Sequence, residues 1–258
     1  MTVSASDVLV KTGPLGLVNL PALQVAFRLL TAGHGCSMKD IFVFDLDGTL
    51  IDTKKVTSQV LDDMVLARGG ALDDHEVTNA VVSHGVLEIV GDICRRFGGE
   101  PQDYLLEFRE RVADVHVSFS LVYPGVIELL EAAIASGTCL AVNTNKPTGL
   151  ARKALEDTTL LPYFTVVQGA DEALNKKPAL DHMNVICHEL NSAFEDMVFF
   201  GDSEVDQETA HNANMDYVHF LFGYGDLRSE LTPPRLKFNA LCERVIDEIV
   251  TVFRPTSA

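Results

Sequence analysis

The chain has 258 residues and a formal net charge of −17, with 37 Asp and Glu against 20 Lys and Arg. That length can bury a full-sized core, either as one large domain or as a core carrying an inserted module, and the acid excess excludes a nucleic-acid backbone as partner, because phosphate contacts need clustered cations. The cysteines Cys36, Cys94, Cys139, Cys187 and Cys242 are odd in number and form no C-x-x-C pair, so neither a disulfide framework nor a zinc site is indicated, and a reducing, cytoplasmic setting is expected.

In chain order, the first hydrophobic segment runs from Leu15 to Leu30. Arg28 divides it, which argues against a membrane span, and Thr31-Ala32-Gly33-His34 lacks the small-x-small pattern of a signal-peptide cleavage site. It reads as a helix-forming extension, and residues 1–37 are set apart as an appendage. Ile41-Phe42-Val43-Phe44 follows, four apolar residues rich in β-branched and aromatic types, the pattern of a strand buried on both faces. Acids begin where this strand stops. Ligand crevices in open α/β sheets lie outside the carboxyl ends of strands, and residues i and i+2 of an extended segment point the same way, which directs Asp45 and Asp47 to one site.

After Asp52 the strand pattern disappears for about seventy residues, far too long for a structureless loop in a compact domain. Val56, Val60, Met64 and Val65 recur at helical spacing before Gly69-Gly70. Asp73 or Asp74 caps a second predicted helix, Val86 to Ile93 forms a third that ends at Gly98-Gly99, and Pro101 opens a fourth. Residues 53–122 are therefore expected to form a small inserted all-helical cap. The core resumes with a helix from Val126, Gly137 as its C′ residue, and strands at Cys139–Val142, Phe164–Val167, Met197–Phe200 and Tyr217–Phe222. Short apolar strands alternating with helices predict a Rossmann-like parallel α/β sheet flanked by helices, built from residues 38–52 and 123–258.

The run Asp45-Leu46-Asp47-Gly48-Thr49-Leu50 resembles the first motif of the haloacid dehalogenase (HAD) superfamily of phosphohydrolases, and three later motifs occur in order: Thr144 closing the second core strand, Lys177 before Pro178, and Gly201-Asp202-Ser203-Glu204-Val205-Asp206. The resemblance covers residues 38 to about 230. Hydrolysing a phosphate monoester needs a nucleophile, a proton donor for the leaving alkoxide and cations on the transferring oxygens. The resemblance assigns Asp45 as nucleophile and Asp47 as acid, then base. It also implies Thr144, Asn145 and Lys177 at the phosphate, and a magnesium ion held by Asp45, the backbone carbonyl of Asp47, and Asp202, with Asp206 orienting or supplementing them. Asp47 bears on subclass, since dehalogenases of the superfamily lack this acid.

Within the superfamily, Thr144-Asn145-Lys146-Pro147, Tyr163-Phe164 and Lys176-Lys177-Pro178 look more like the phosphoglycolate phosphatase group than the phosphoglucomutase group, whereas Gly169-Ala170-Asp171-Glu172 and Asn214-Met215 depart from it. The expected partner is a small phosphorylated metabolite, with no nucleic acid and no membrane; oligomeric state stays open. His84, Gly85 and Lys146 are candidates for substrate choice, with a helix-capping turn as the competing reading of Ser83-His84-Gly85. Two alternatives keep the same fold: a phosphotransferase or phosphomutase, and a regulatory protein without catalysis, which predicts the loss of a motif residue. None is lost.

Overall fold

The computed structural model describes residues 9–12, 16–19, 41–71, 86–170 and 175–253. Near the N-terminus, Leu9–Thr12 (β1) and Gly16–Asn19 (β2) pair antiparallel, with Val10 opposite Val18. The predicted helix from Leu15 is thus replaced at its start by strand. Pro14 and Gly16 both disfavour helix, and the facing valines favour strand. The remainder of that segment lies outside the described residues, as do the second predicted helix and Ser83-His84-Gly85.

The main sheet contains Ile41–Phe44 (β3), Cys139–Asn143 (β4), Val166–Gln168 (β5), Met197–Gly201 (β6), Asp216–Phe220 (β7) and Leu236–Phe238 (β8). Its order is β5-β4-β3-β6-β7-β8, and every pairing is parallel. Every residue of β3, β4 and β6 is buried, as a sheet covered on both faces requires. The chain winds outward from β3 in both directions, so β3 and β6 flank the point where strand order reverses, the place where doubly wound sheets open a crevice.

Among the described residues, three α-helices follow β3 before the chain returns to pack against the sheet: Lys54–Leu66 (α1), Val86–Phe97 (α2) and Pro101–Asp114 (α3). Their inward side chains, among them Leu61, Met64, Ile93 and Phe108, form a hydrophobic cluster separate from those of the sheet. The helical spacing of Val60, Leu61, Met64 and Val65 puts one stripe of α1 into that cluster. Pro101 sits in the first turn of α3, where a missing N–H costs nothing.

The remaining helices cover the sheet. Val126–Ala135 (α4), Thr148–Asp157 (α5) and, near the C-terminus, a helix at Glu243–Val252 pack with Phe42 and Phe44 on one face. Asp181–Leu190 (α6) and Glu204–Asn212 (α7) pack with Ile41 and Val43 on the other, and Glu243–Val252 becomes α8. The alternation of β3 therefore feeds two cores at once. Beneath the site, the rings of Phe44 and Phe200 stack with centroids 4.6 Å apart, which adds about 1 kcal/mol beyond simple burial. Among the described residues, no helix is long and apolar enough to cross a membrane.

Several element boundaries differ from expectation. β5 starts two residues later than predicted and β7 stops at Phe220, while β8 and α8 carry no expectation at all. β8 is only three residues long and follows Pro233-Pro234, so its strand character comes from pairing with β7 rather than from local pattern.

Candidate active site

The acids predicted from two strand ends meet where the strand order reverses. The backbone N–H of Asp45 donates to the carbonyl of Phe200 at 2.9 Å, so the ladder between β3 and β6 continues one residue into the site. Gly48 then turns with φ +87°, and a Cβ there would sit 2.4 Å from Asp202 Oδ2. On the opposite side, a Cβ on Gly223 would lie 2.2 Å from the Asp202 Cβ. Only glycine lets both backbones close on this carboxylate. Thr49 Oγ1 donates to Asp202 Oδ1 at 2.9 Å and the Tyr224 N–H to Oδ2 at 2.7 Å, which fixes the carboxylate plane.

Lys177 enters from the loop before α6. Its Nζ lies 2.8 Å from Asp45 Oδ1 and 2.7 Å from Asp206 Oδ1, and all three residues are buried. Asp206 stands at the third position of α7 and forms a capping box with Ser203: its Oδ2 accepts from the Ser203 N–H at 3.1 Å, and its own N–H donates to Ser203 Oγ at 3.3 Å. Oδ2 also accepts from the Asp202 N–H and from Ser203 Oγ, so helix start and charged site are one hydrogen-bonded unit.

Asn145 supports the lysine rather than facing the crevice. Its Nδ2 donates to the Lys177 carbonyl at 3.2 Å, and its Oδ1 accepts the Lys177 N–H at 2.9 Å. Thr144 is buried. Its N–H donates to the carbonyl of Gln168, and its Oγ1 accepts the Lys146 N–H at 3.2 Å.

Asp47 faces a different set of partners. Lys146 Nζ lies 2.8 Å from both of its carboxylate oxygens, and Thr53 Oγ1 donates to Oδ1. Nearby, Tyr224 Oη donates to Asp52 Oδ1 at 2.8 Å and accepts the Lys54 N–H at 2.9 Å, tying the start of α1 to the loop after β7. Thr53 and Tyr224 were not candidates on sequence. A threonine after an acid-rich turn and a tyrosine in a late loop carry no spacing signal.

Burial dominates the electrostatics. It pushes the Asp45 carboxyl up to about 7, with Asp206 and Asp47 adding to the rise and Lys177 opposing it. Asp202 is pushed up to about 8 by burial and by the Asp206 and Asp45 charges. For Lys177, burial favours the neutral amine, but Asp206 and Asp45 outweigh it and hold the ammonium above its ordinary range.

Ligand oxygens of Asp45, Asp202 and Asp206 lie within 4.8 Å of one another. Three buried carboxylates share one buried ammonium, which leaves two negative charges in excess if all are ionised. Buried charges require partners, and an all-oxygen set with that excess fits a hard divalent cation such as magnesium. The Asp47 side chain is not in this cluster; its carboxylate is taken by Lys146. The predicted residues Asp45, Lys177, Asp202 and Asp206 therefore share one hydrogen-bonded unit, with Asn145 behind it and Asp47 and Lys146 paired at its edge. His84 and Gly85 lie outside the described residues. Among the other histidines, His182 and His219 are buried in the core, where His219 Nδ1 lies 2.9 Å from Tyr217 Oη.

Comparison with known proteins agrees with this geometry. A family model described as haloacid dehalogenase-like hydrolase matches residues 42–220. A phosphoglycolate phosphatase of Rhodobacter capsulatus is 31% identical over 206 residues, covering 78% of this chain and 93% of the relative. One from Salmonella typhimurium is 28% identical over 203 residues, covering 70% and 81%. Among solved structures, CbbY from Rhodobacter sphaeroides in complex with phosphate superposes with a TM-score of 0.67 at 21% identity, over 80% of this chain and 96% of that one.

Proposed function

The chain belongs to the haloacid dehalogenase-like hydrolases and is a phosphatase of that family; from that premise we propose that it hydrolyses a small organic phosphate monoester of the phosphoglycolate type, with magnesium, through an aspartyl-phosphate on Asp45. The observation that carries this reading is the Lys177 ammonium held between Asp45 and Asp206, with Asp202 beside them, at the ends of β3 and β6.

Asp45 attacks phosphorus while the ester P–O bond breaks. The bonding pair leaves on the ester oxygen, which takes a proton from Asp47. Water then attacks the aspartyl-phosphate and gives its proton to Asp47; the bond to Asp45 breaks, and inorganic phosphate departs. Lys177 offsets charge on both the nucleophile and the phosphoryl group, and the Thr144 hydroxyl is the candidate donor to a phosphoryl oxygen. Asn145 serves the phosphate site through Lys177. Magnesium, held by Asp45, Asp202 and the Asp47 carbonyl, would supply further positive charge to the phosphoryl oxygens. Asp206 acts mainly by orienting, since its Oδ2 already accepts three donors.

Residues 53–122 form the cap in this reading, residues 1–37 stand apart from the catalytic unit, and the enzyme works in the cytoplasm. The test is phosphate release from phosphoglycolate with magnesium and with a chelator, together with acid quench for label retained on the protein. Magnesium-dependent release and a labelled Asp45 are expected. Chelator-insensitive release would overturn the metal requirement, and an isomerised sugar phosphate without free phosphate would indicate a phosphomutase.

A further inference from the structure

Asp47 is held more tightly than an acid waiting for its leaving group needs to be. Three donor contacts fall on its two oxygens: Lys146 Nζ on each at 2.8 Å, and Thr53 Oγ1 on Oδ1. While these persist, the carboxyl group is turned toward Lys146 rather than toward an incoming ester oxygen. Lys146 and Thr53 also line a cleft between α1, α3 and α5, whose other walls include Val56, Val112, Val115 and Leu150. The cleft's second cation, Lys153, is engaged with Asp157 at 2.6 Å and with the carbonyl of Val115. Its walls are otherwise largely apolar, so Lys146 is the ammonium positioned to meet a leaving group there.

We propose that Lys146 is a specificity-determining and positioning residue: it recognises a carboxylate on the carbon next to the ester oxygen and, by moving onto that carboxylate, releases Asp47, which takes a proton from water as the ion pair breaks, to face the leaving oxygen. The proposal rests on the phosphatase reading above and narrows its substrate to short esters whose alcohol is a 2-hydroxy acid. The geometry sets that length. Lys146 Nζ and the Asp47 oxygens are one hydrogen bond apart, so an anion that meets the ammonium while its ester oxygen meets Asp47 must lie a few bonds from that oxygen. A more distant anion on a longer chain cannot satisfy both.

The exchange is close to even in energy for such a substrate. The ammonium trades one carboxylate for another and is never left unpaired in a partly buried site, its side chain being 15% exposed. An uncharged leaving group offers no such trade, and freeing Asp47 then means breaking a charge-assisted pair. That difference corresponds to a preference of about 30-fold or more, from the usual strength of a hydrogen bond between charged groups.

The decisive comparison uses phosphoglycolate and its amide, phosphoglycolamide, which has the same shape without the charge, each assayed by phosphate release in magnesium. The wild-type protein should favour the acid by about 30-fold or more in kcat/KM, with the amide's deficit appearing in kcat as well as KM because Asp47 stays held. Lys146→Met should bring the ratio near one, and Lys146→Arg should restore part of it. A structural role for Lys146 would lower both substrates alike and leave the ratio intact; that result, or a wild-type enzyme that does not distinguish acid from amide, overturns the proposal while leaving the phosphatase reading standing. No phosphate from either ester would sink the phosphatase reading itself.

Discussion

At the carboxyl edge of the sheet, Asp45, Asp202, Asp206 and Lys177 are packed together almost without solvent, and most of their oxygens and nitrogens have named partners. In the helical cluster of α1, α2 and α3 the buried side chains are nearly all apolar, and the Arg68–Glu107 ion pair keeps about a quarter of its exposure. The first region is polar and expensive to assemble, because each charge must be matched on burial. The second is held by burial of hydrophobic surface, which tolerates change in detail. In the proposed reading, fixed chemistry belongs to the sheet edge and adjustable recognition to the cleft between α1, α3 and α5.

The largest effect expected from breaking this contrast is at Asp45. Asp45→Asn keeps the shape but removes the proposed nucleophile, and kcat should fall on the order of 10⁴-fold or more. Residual magnesium-dependent turnover within about 100-fold of wild type would show that the sheet edge is not the seat of the chemistry.

Next is Asp206→Ala, which leaves Lys177 with one partner and removes the capping box of α7. A loss of about 3–5 kcal/mol in urea unfolding is expected, the scale for removing one member of a buried pair. A loss under about 1 kcal/mol would place this pair with the surface ones.

The carboxyls also predict a pH dependence for the metal-free protein. Asp45 and Asp202 bind protons more tightly folded, at about 7 and about 8, than at their ordinary 3.8. Their protonated forms are the ones burial favours, so stability is fully present at the acid end and is lost as pH rises through those values. Melting temperature without metal should fall by several degrees between about pH 5 and pH 8. Magnesium should raise it more at pH 8 than at pH 5. A metal-free protein more stable at pH 8 would contradict this.

The smallest effect belongs to the helical cluster. Arg68 lies over the Tyr104 ring at 4.5 Å and pairs with Glu107, yet both charged side chains keep about a quarter of their exposure. Arg68→Ala should cost about 1 kcal/mol and leave kcat within about twofold. A tenfold loss of kcat would mean that the helical cluster carries fixed chemistry after all.

Much of the fold was legible because its signals are local. β3 and β6 read as buried strands from uninterrupted apolar runs, α1 and α3 from helical spacing and the glycine and proline at their ends, and the site from acids standing where those strands stop. The resemblance to the haloacid dehalogenase superfamily put forward Asp45, Lys177, Asp202 and Asp206 as candidates, and the structure brings them together. β8 could not, since three residues after two prolines become a strand only against β7, and the strand pairing at Gly16–Asn19 was hidden by a hydrophobic run that looked helical.

The sequence by itself determined most element types, the parallel sheet and the acids at the ends of β3 and β6, because periodicity and strand-end placement act over a few neighbouring residues. Tertiary structure alone decided which of those charges face one another. It turned Asn145 onto the backbone of Lys177, brought Lys146 to Asp47 across 99 residues, and closed Gly48 and Gly223 around Asp202. Those pairings depend on the path of the whole chain, since a hydrogen bond is set by distance and direction in space, which spacing along the sequence does not encode.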